Sequence, residues 1–244
     1  MAFEHHRVVI TAAGRDFGRT LALGFAARGA EVHLSARTPE AAARVREEII
    51  GQGHDPARVH AHACDLTDPA SVRAFAAAVA ARSGHIDVLV NNGARYQHGP
   101  DLLSASDEDV VETLASGATG TVLVTKAFLP LLLESDRPDI VTMVSGCGEH
   151  GNHRSDAHDA FYAAKSAQAG FTETLSRRLR GRGVRVISLY PPDFDNHDPL
   201  SPAWEDAPRT AKDPLTAQSL VDCVFFAIGQ PRDCFIKSFH FEQV

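Results

Sequence analysis

The segment Asp159–Phe171, DAFYAAKSAQAGF, puts a phenol and an ammonium on what reads as one helix. Tyr162 and Lys165 are three residues apart, and Phe161 stands four before the lysine. A lysine beside a phenol lowers the phenol pKa, which suits such a pair to moving a proton onto or off a substrate oxygen. Register decides whether the two meet. A step of four returns a helical side chain to nearly the same face, whereas one residue turns it by about 100°. On a regular helix Phe161 therefore shares the face of Lys165 and Tyr162 points away; a local slip or π-bulge would bring the tyrosine round. Just upstream, GEHGNHRSDAHD (Glu149–Asp159) holds His150, His153 and His158, each able to donate a proton near neutral pH. The competing reading of that stretch is a solvated loop. Its spacing matches no standard metal motif. Cys64, Cys147, Cys223 and Cys234 form no C-x-x-C pair, so neither a metal site nor a dithiol redox motif is signalled.

Groups of this kind need a scaffold. Short β-branched runs alternate with longer helical patterns along the chain. Strands are expected at Arg7–Thr11, Glu31–Ala36, Arg58–Cys64, Ile86–Asn92, Asp139–Ser145, Val184–Tyr190 and near CFIKSFHF. Helices are expected at Gly18–Gly29, from Thr38 (a cap, with Pro39 in the first turn) to Gly51, and over Asp68–Gly84, Asp107–Leu133 and Asp159–Arg180, with one more before the last strand. Such alternation implies parallel pairing through right-handed crossovers. The fold class is α/β: a Rossmann-type, doubly wound parallel sheet of about seven strands, helices on both faces, in a single domain over 1–244. A proline-rich loop, 191–213, falls on the substrate side. No linker-like segment or internal repeat divides the chain. In such sheets ligands bind at the carboxyl ends of the strands.

With 244 residues and 44% hydrophobic content the chain can bury one good core. A formal charge of -7 argues against nonspecific nucleic-acid binding. The basic run RRLRGRGVR, Arg177–Arg185, reads as a solvated helix end whose arginines complement the dipole. The N-terminus does not resemble a signal peptide, and no run of about 20 apolar residues is expected to cross a membrane. Reduced thiols and a cytoplasmic location follow as the default.

The turn after the first strand, TAAGRDFG (Thr11–Gly18), opens a helix where a dinucleotide phosphate site would lie. Together with CDLTD around Asp65, NNGA at Asn91–Ala94, VTMVSGCG around Ser145 and AxKSA around Lys165, it resembles the short-chain dehydrogenase/reductase family, from about Arg7 to Leu189. The resemblance implies a cofactor site of Thr11, Gly14, Arg15, Gly18, Arg37, Asp65, Asn91, Gly93 and Lys165. The family's turn has the form T-G-x-x-x-G-x-G; its three glycine positions here hold Ala12, Asp16 and Gly18. An inward carboxylate at Asp16 would repel a phosphate, whereas a carboxylate turned away would cap the helix. Arg37 ends the second strand, where an acidic residue would bind the ribose hydroxyls of NAD and an arginine the 2′-phosphate of NADP; Arg15 leans the same way, so NADP(H) is the expected cofactor.

The family's catalytic set is a serine, a tyrosine, a lysine four residues later and an asparagine that positions a water. Ser145 and Lys165 fill two of these places, Phe161 stands in the tyrosine's and Gly117 in the asparagine's, and Pro192 replaces a glycine after the sixth strand. Three functions follow from the resemblance. One is an NADP-dependent oxidoreductase of a carbonyl or alcohol with a substitute acid, namely Tyr162, His158 or a water. The second is a silent subunit assembling, as a homo-oligomer or hetero-oligomer with a related chain, through the long helices and last strand. The third is a non-redox ligand-binding protein on the same scaffold.

Overall fold

Val8, Val9 and Ile10, and likewise Val88, Leu89 and Val90, are buried on both faces of their strands, as central parallel strands require. They belong to a seven-stranded sheet in the order β3-β2-β1-β4-β5-β6-β7, every pair parallel. The strands are β1 (Arg7–Ile10), β2 (Glu31–Ala36), β3 (Val59–Ala63), β4 (Val88–Asn91), β5 (Asp139–Met143), β6 (Arg185–Tyr190) and β7 (Ser238–His240). This computed structural model describes residues 2–99 and 101–243. Strand order reverses between β1 and β4, the point at which doubly wound sheets bind ligands.

The helices are α1 (Asp16–Ala27), α2 (Pro39–Gly51), α3 (Pro69–Ala80), α4 (Asp107–Leu114), α5 (Gly120–Leu132), α6 (Asp159–Leu179), α7 (Pro202–Glu205) and α8 (Ala217–Ile228). Local chemistry sets several of their ends. Thr38 caps α2 through Ala41 N–H with Pro39 behind it, and Asp68 caps α3 through Ala70 N–H. One core layer joins α1, α2 and α8 to one sheet face; Phe75, Val79, Val124, Phe128 and Leu132 of α3 and α5 cover the other.

Three expectations change. The single helix expected at 107–133 is α4 and α5 joined through a π-helical turn, Ala115–Thr119. That run, Asp107–Leu132, is also long and apolar enough to cross a membrane, contrary to the expectation that no such segment exists. Its apolar side is occupied within the fold, where Val124, Phe128 and Leu132 are buried against α3 and β4. Arg185, finally, is no solvated helix-end residue. It lies buried in β6, bidentate to Asp139 of β5 at 2.8 and 2.6 Å, and Arg232 joins the same carboxylate at 2.7 Å.

Candidate active site

The carboxyl ends of β1 to β6 surround a cavity of about 640 Å³. Its two ends are built by different elements. At one end lie the β1–α1 turn, Arg37 after β2 and Arg44 of α2. At the other lie Ser145 after β5, Lys165 and Phe161 of α6, and Pro191–Phe194 after β6.

In the turn, Ala12 and Asp16 both have left-handed backbones, with φ of 50° and 48°. The chain thus keeps, with side chains, a path that glycine follows without strain. Arg44 Nη2 braces it by donating to the carbonyl of Gly14 at 2.9 Å. Gly18 is a packing residue, since a Cβ there would sit 2.6 Å from the carbonyl oxygen of Ala12 and from Asn92 Nδ2. Asp16 does not cap α1. It is the first helical residue, and its exposed carboxylate lies 3.3 Å from Arg15 Nε. The pair is open to solvent and worth little in stability, but it places a cation beside the carboxylate that a phosphate would otherwise meet alone.

The other cofactor candidates divide into two groups. Gly14, Arg15, Arg37, Asp65, Gly93 and Lys165 border the cavity. Thr11, Gly18 and Asn91 do not. Thr11 Oγ1 accepts from the backbone N–H of Asn92 (3.1 Å) and Gly93 (3.3 Å), tying the β1 and β4 ends together. Asn91 turns inward and donates to Thr125 of α5 at 3.0 Å, so Asn92 is the asparagine on the cavity wall. Arg37 is paired with Glu112 at 2.9 Å yet largely exposed. Burial opposes ionisation of Asp65, but hydrogen bonds from the Thr67 N–H and hydroxyl outweigh it and hold the carboxyl below its usual range.

At the catalytic end, Phe161 is buried with its ring centroid 5.3 Å from Lys165 Nζ, and the edge of Tyr96 meets it at 5.0 Å. Two of the candidate proton donors are absent from this wall. The Tyr162 hydroxyl accepts from Ser155 N–H at 3.0 Å and donates to Ser155 O at 3.2 Å, which fastens the loop before α6. No register slip occurs, because α6 is regular from Asp159 onward. His158 is fully buried as the N-cap of α6, its Nδ1 accepting from Ala160 N–H at 3.0 Å. His158 thus satisfies one of the free N–H groups at the start of α6, while Tyr162 satisfies the backbone of Ser155 in the preceding loop.

Lys165 is held where the cavity meets the core. Nζ donates to the carbonyl of Met143 at 2.7 Å and to Gln168 Oε1 at 3.0 Å. With two of three N–H groups engaged, one is left for the cavity. Burial among neutral acceptors pulls its pKa down to about 8. Gln168 in turn donates to the carbonyl of Gly117, at 3.0 Å, and to Thr121 Oγ1, at 2.8 Å. The π-helical turn presents that carbonyl, so a side-chain amide links Gly117 to the lysine. Ser145 sits at φ 80°, a strained position for a non-glycine residue, and borders the cavity with Cys147. Gln168, Tyr96, Cys147 and Arg44 also build this cavity or its wall. Of these, Gln168 alone had a signal in the sequence: it lies three residues after Lys165, on the same face.

The family profile described as short chain dehydrogenase matches residues 6–202. The chain belongs to the short-chain dehydrogenase family. D-threitol dehydrogenase of Mycolicibacterium smegmatis is 34% identical over 184 residues, covering 75% of this chain and 68% of that protein. The 3-oxoacyl-[acyl-carrier-protein] reductase FabG of Escherichia coli is 29% identical over 191 residues, covering 78% and 74%. Among solved structures, a metagenomic short-chain oxidoreductase in complex with NADP superposes with a TM-score of 0.78 at 27% identity, over 96% of this chain and 95% of that one. An alcohol dehydrogenase of Thermococcus sibiricus shares the fold at a TM-score of 0.81 and 22% identity, over 98% and 97%. In this chain the catalytic end is built by Phe161, Lys165 and Gln168.

Proposed function

We propose that this short-chain dehydrogenase binds NADP(H) in the 640 Å³ cavity and acts slowly on a carbonyl or secondary alcohol, with Lys165 in place of a phenol as the proton-transferring group. The observation that carries the reading is the buried Lys165 ammonium, 5.3 Å from the ring of Phe161 and with one N–H left for the cavity. The nucleotide end fits a 2′-phosphate. Arg15, Arg37 and Arg44 line it, and Gly14 lets the turn pack closely on β2, since a Cβ there would meet Ala36 Cβ at 2.7 Å. The relatives named for D-threitol and 3-oxoacyl substrates act on alcohol and carbonyl carbons. Bound NADP(H) supplies or takes up the hydride. Ser145 orients the substrate oxygen, and Lys165 gives it a proton in reduction or accepts one in oxidation. A lysine with a pKa of about 8 is mostly acid at neutral pH, as reduction needs.

The test is NADPH binding by fluorescence together with turnover on a panel of ketones and alcohols. Reduction should run about 10²–10⁴-fold below that of an intact family member and fall as pH rises through about 8. Phe161→Tyr should raise it by at least tenfold, and Lys165→Met should abolish what remains. Absence of NADPH binding would refute the cofactor assignment. Full turnover indifferent to Lys165→Met would refute the role of the lysine. A specific feature also supports assembly: Val111 and Val122 stand exposed on the long α4–α5 helix. Oligomerisation there, with itself or with a related chain, would let a slow subunit serve an active partner.

A further inference from the structure

The amino-terminal halves of β2 and β3 carry a cluster that the cavity does not use. His33 of β2 is the register partner of His60 of β3, and Glu31 lies two residues before His33 on the same face. Glu31 Oε1 is 3.1 Å from His60 Nε2 and 3.4 Å from His33 Nε2. We propose that Glu31, His33 and His60 form a divalent-metal site, selective for Zn²⁺, at this edge of the sheet.

Four observations support it. The three ligand atoms lie within 4.8 Å of one another, and the two carboxylate–imidazole separations are close to the roughly 3.3 Å at which a tetrahedral ion with bonds of 2.0–2.1 Å holds its ligands. His33 is fully buried, and its Nε2 meets the Glu31 carboxylate only at 3.4 Å, an ionic contact without good hydrogen-bond geometry. A buried imidazole nitrogen so loosely partnered has a lone pair that a cation would use. The other nitrogen of His33, Nδ1, lies 3.3 Å from His62 Nε2, on the next residue of the same face of β3. If Nδ1–H donates there, Nε2 keeps its lone pair aimed at Glu31 and His60, the outer-shell arrangement that orients metal-binding imidazoles. Arg7 Nε lies 3.4 Å from the far oxygen Oε2 of the same carboxylate, leaving Oε1 to the cluster.

Chemistry then selects the ion. Two imidazoles and one carboxylate are a nitrogen-rich donor set that suits Zn²⁺ and disfavours Mg²⁺ or Ca²⁺. Glu31 is partly exposed and β3 is the sheet edge, so the ion has an entry path past the carboxylate and water can complete the shell. Both strands reach the cavity only at their far ends, at Ala36 and Cys64, so the metal clamps β2 to β3 and takes no part in turnover.

The experiment is titration of the chelator-stripped full chain with Zn²⁺ against a chromophoric competitor, and with Co²⁺ followed by visible absorption. One high-affinity ion per chain is expected, with the intense d–d bands of a four-coordinate site and a Tm that rises with free Zn²⁺. His33→Ala and Glu31→Gln should each abolish the bands and weaken Zn²⁺ binding by at least 100-fold. His62→Phe should weaken it by about 10–100-fold, the cost of losing an outer-shell partner. Glu31→Gln keeps the side-chain shape, and circular dichroism of the metal-free variants checks that they fold. The proposal is overturned if the wild type shows no saturable site, if Co²⁺ gives only weak octahedral bands, or if binding survives Glu31→Gln combined with His33→Ala, which would place the ion elsewhere.

Discussion

Gln168 is the residue on which the catalytic end turns. It accepts from Lys165 Nζ through Oε1 and reaches the carbonyl of Gly117 through Nε2. Burial of the lysine opposes its charge, and a hydrogen-bond acceptor on the ammonium works the other way. Replacing it with an apolar side chain removes that support, and replacing it with a carboxylate strengthens it. Gln168→Leu should therefore move the pH at which reduction declines below about 8, and Gln168→Glu should move it above. A pH–rate profile for each variant is the check. Identical profiles would mean that Gln168 only packs. Phe161 belongs to the same scale: it fills a phenol's volume and offers Lys165 a ring face without a proton.

Among the elements, the β1–α1 turn carries a conformational conflict. Two residues with side chains, Ala12 and Asp16, occupy left-handed backbone at φ 50° and 48°. For alanine that conformation costs roughly 1–2 kcal/mol, and for aspartate somewhat less. Gly restores the freedom but also loosens the unfolded chain, which offsets part of the gain. Ala12→Gly should still stabilise the protein by about 1 kcal/mol in chemical denaturation. Asp16→Gly should gain less in stability but tighten NADPH binding severalfold, because a carboxylate leaves the cofactor turn. Weaker NADPH binding by Asp16→Gly would mean that the Arg15–Asp16 pair organises the turn. The loop after β6 is likewise fastened to this region: Arg19 of α1 donates to Asp198 at 2.8 Å, and Thr20 donates to Asn196 at 2.9 Å.

Across the whole molecule, one carboxylate joins the second half of the sheet to the C-terminal segment. Asp139 of β5 holds both Arg185 of β6 and Arg232, while Arg185 also donates to the carbonyls of Ile228 and Cys234. Removing the anion leaves a buried guanidinium without its counter-charge. Asp139→Asn should cost about 3–5 kcal/mol, read as a lower denaturant midpoint with little change in slope. A loss below 1 kcal/mol would show that the carbonyls suffice.

Much of this was legible in the chain alone. Alternation of β-branched runs with helical periods fixes a parallel, doubly wound sheet, because each period states which faces are covered. Thr38, Pro39 and Asp68 mark helix starts through contacts only two or three residues long. Helical geometry alone also turned Tyr162 away from Lys165, since rotation per residue is a local property. Tertiary structure decided the rest. Where the Tyr162 hydroxyl goes, that His158 is capped and buried, that Arg185 is an interior cation, and that Gln168 meets Gly117 from 51 residues away all depend on which elements pack together. Glu31, His33 and His60 read singly as polar residues in strands. Only the pairing register of β2 with β3 brings their ligand atoms to one point.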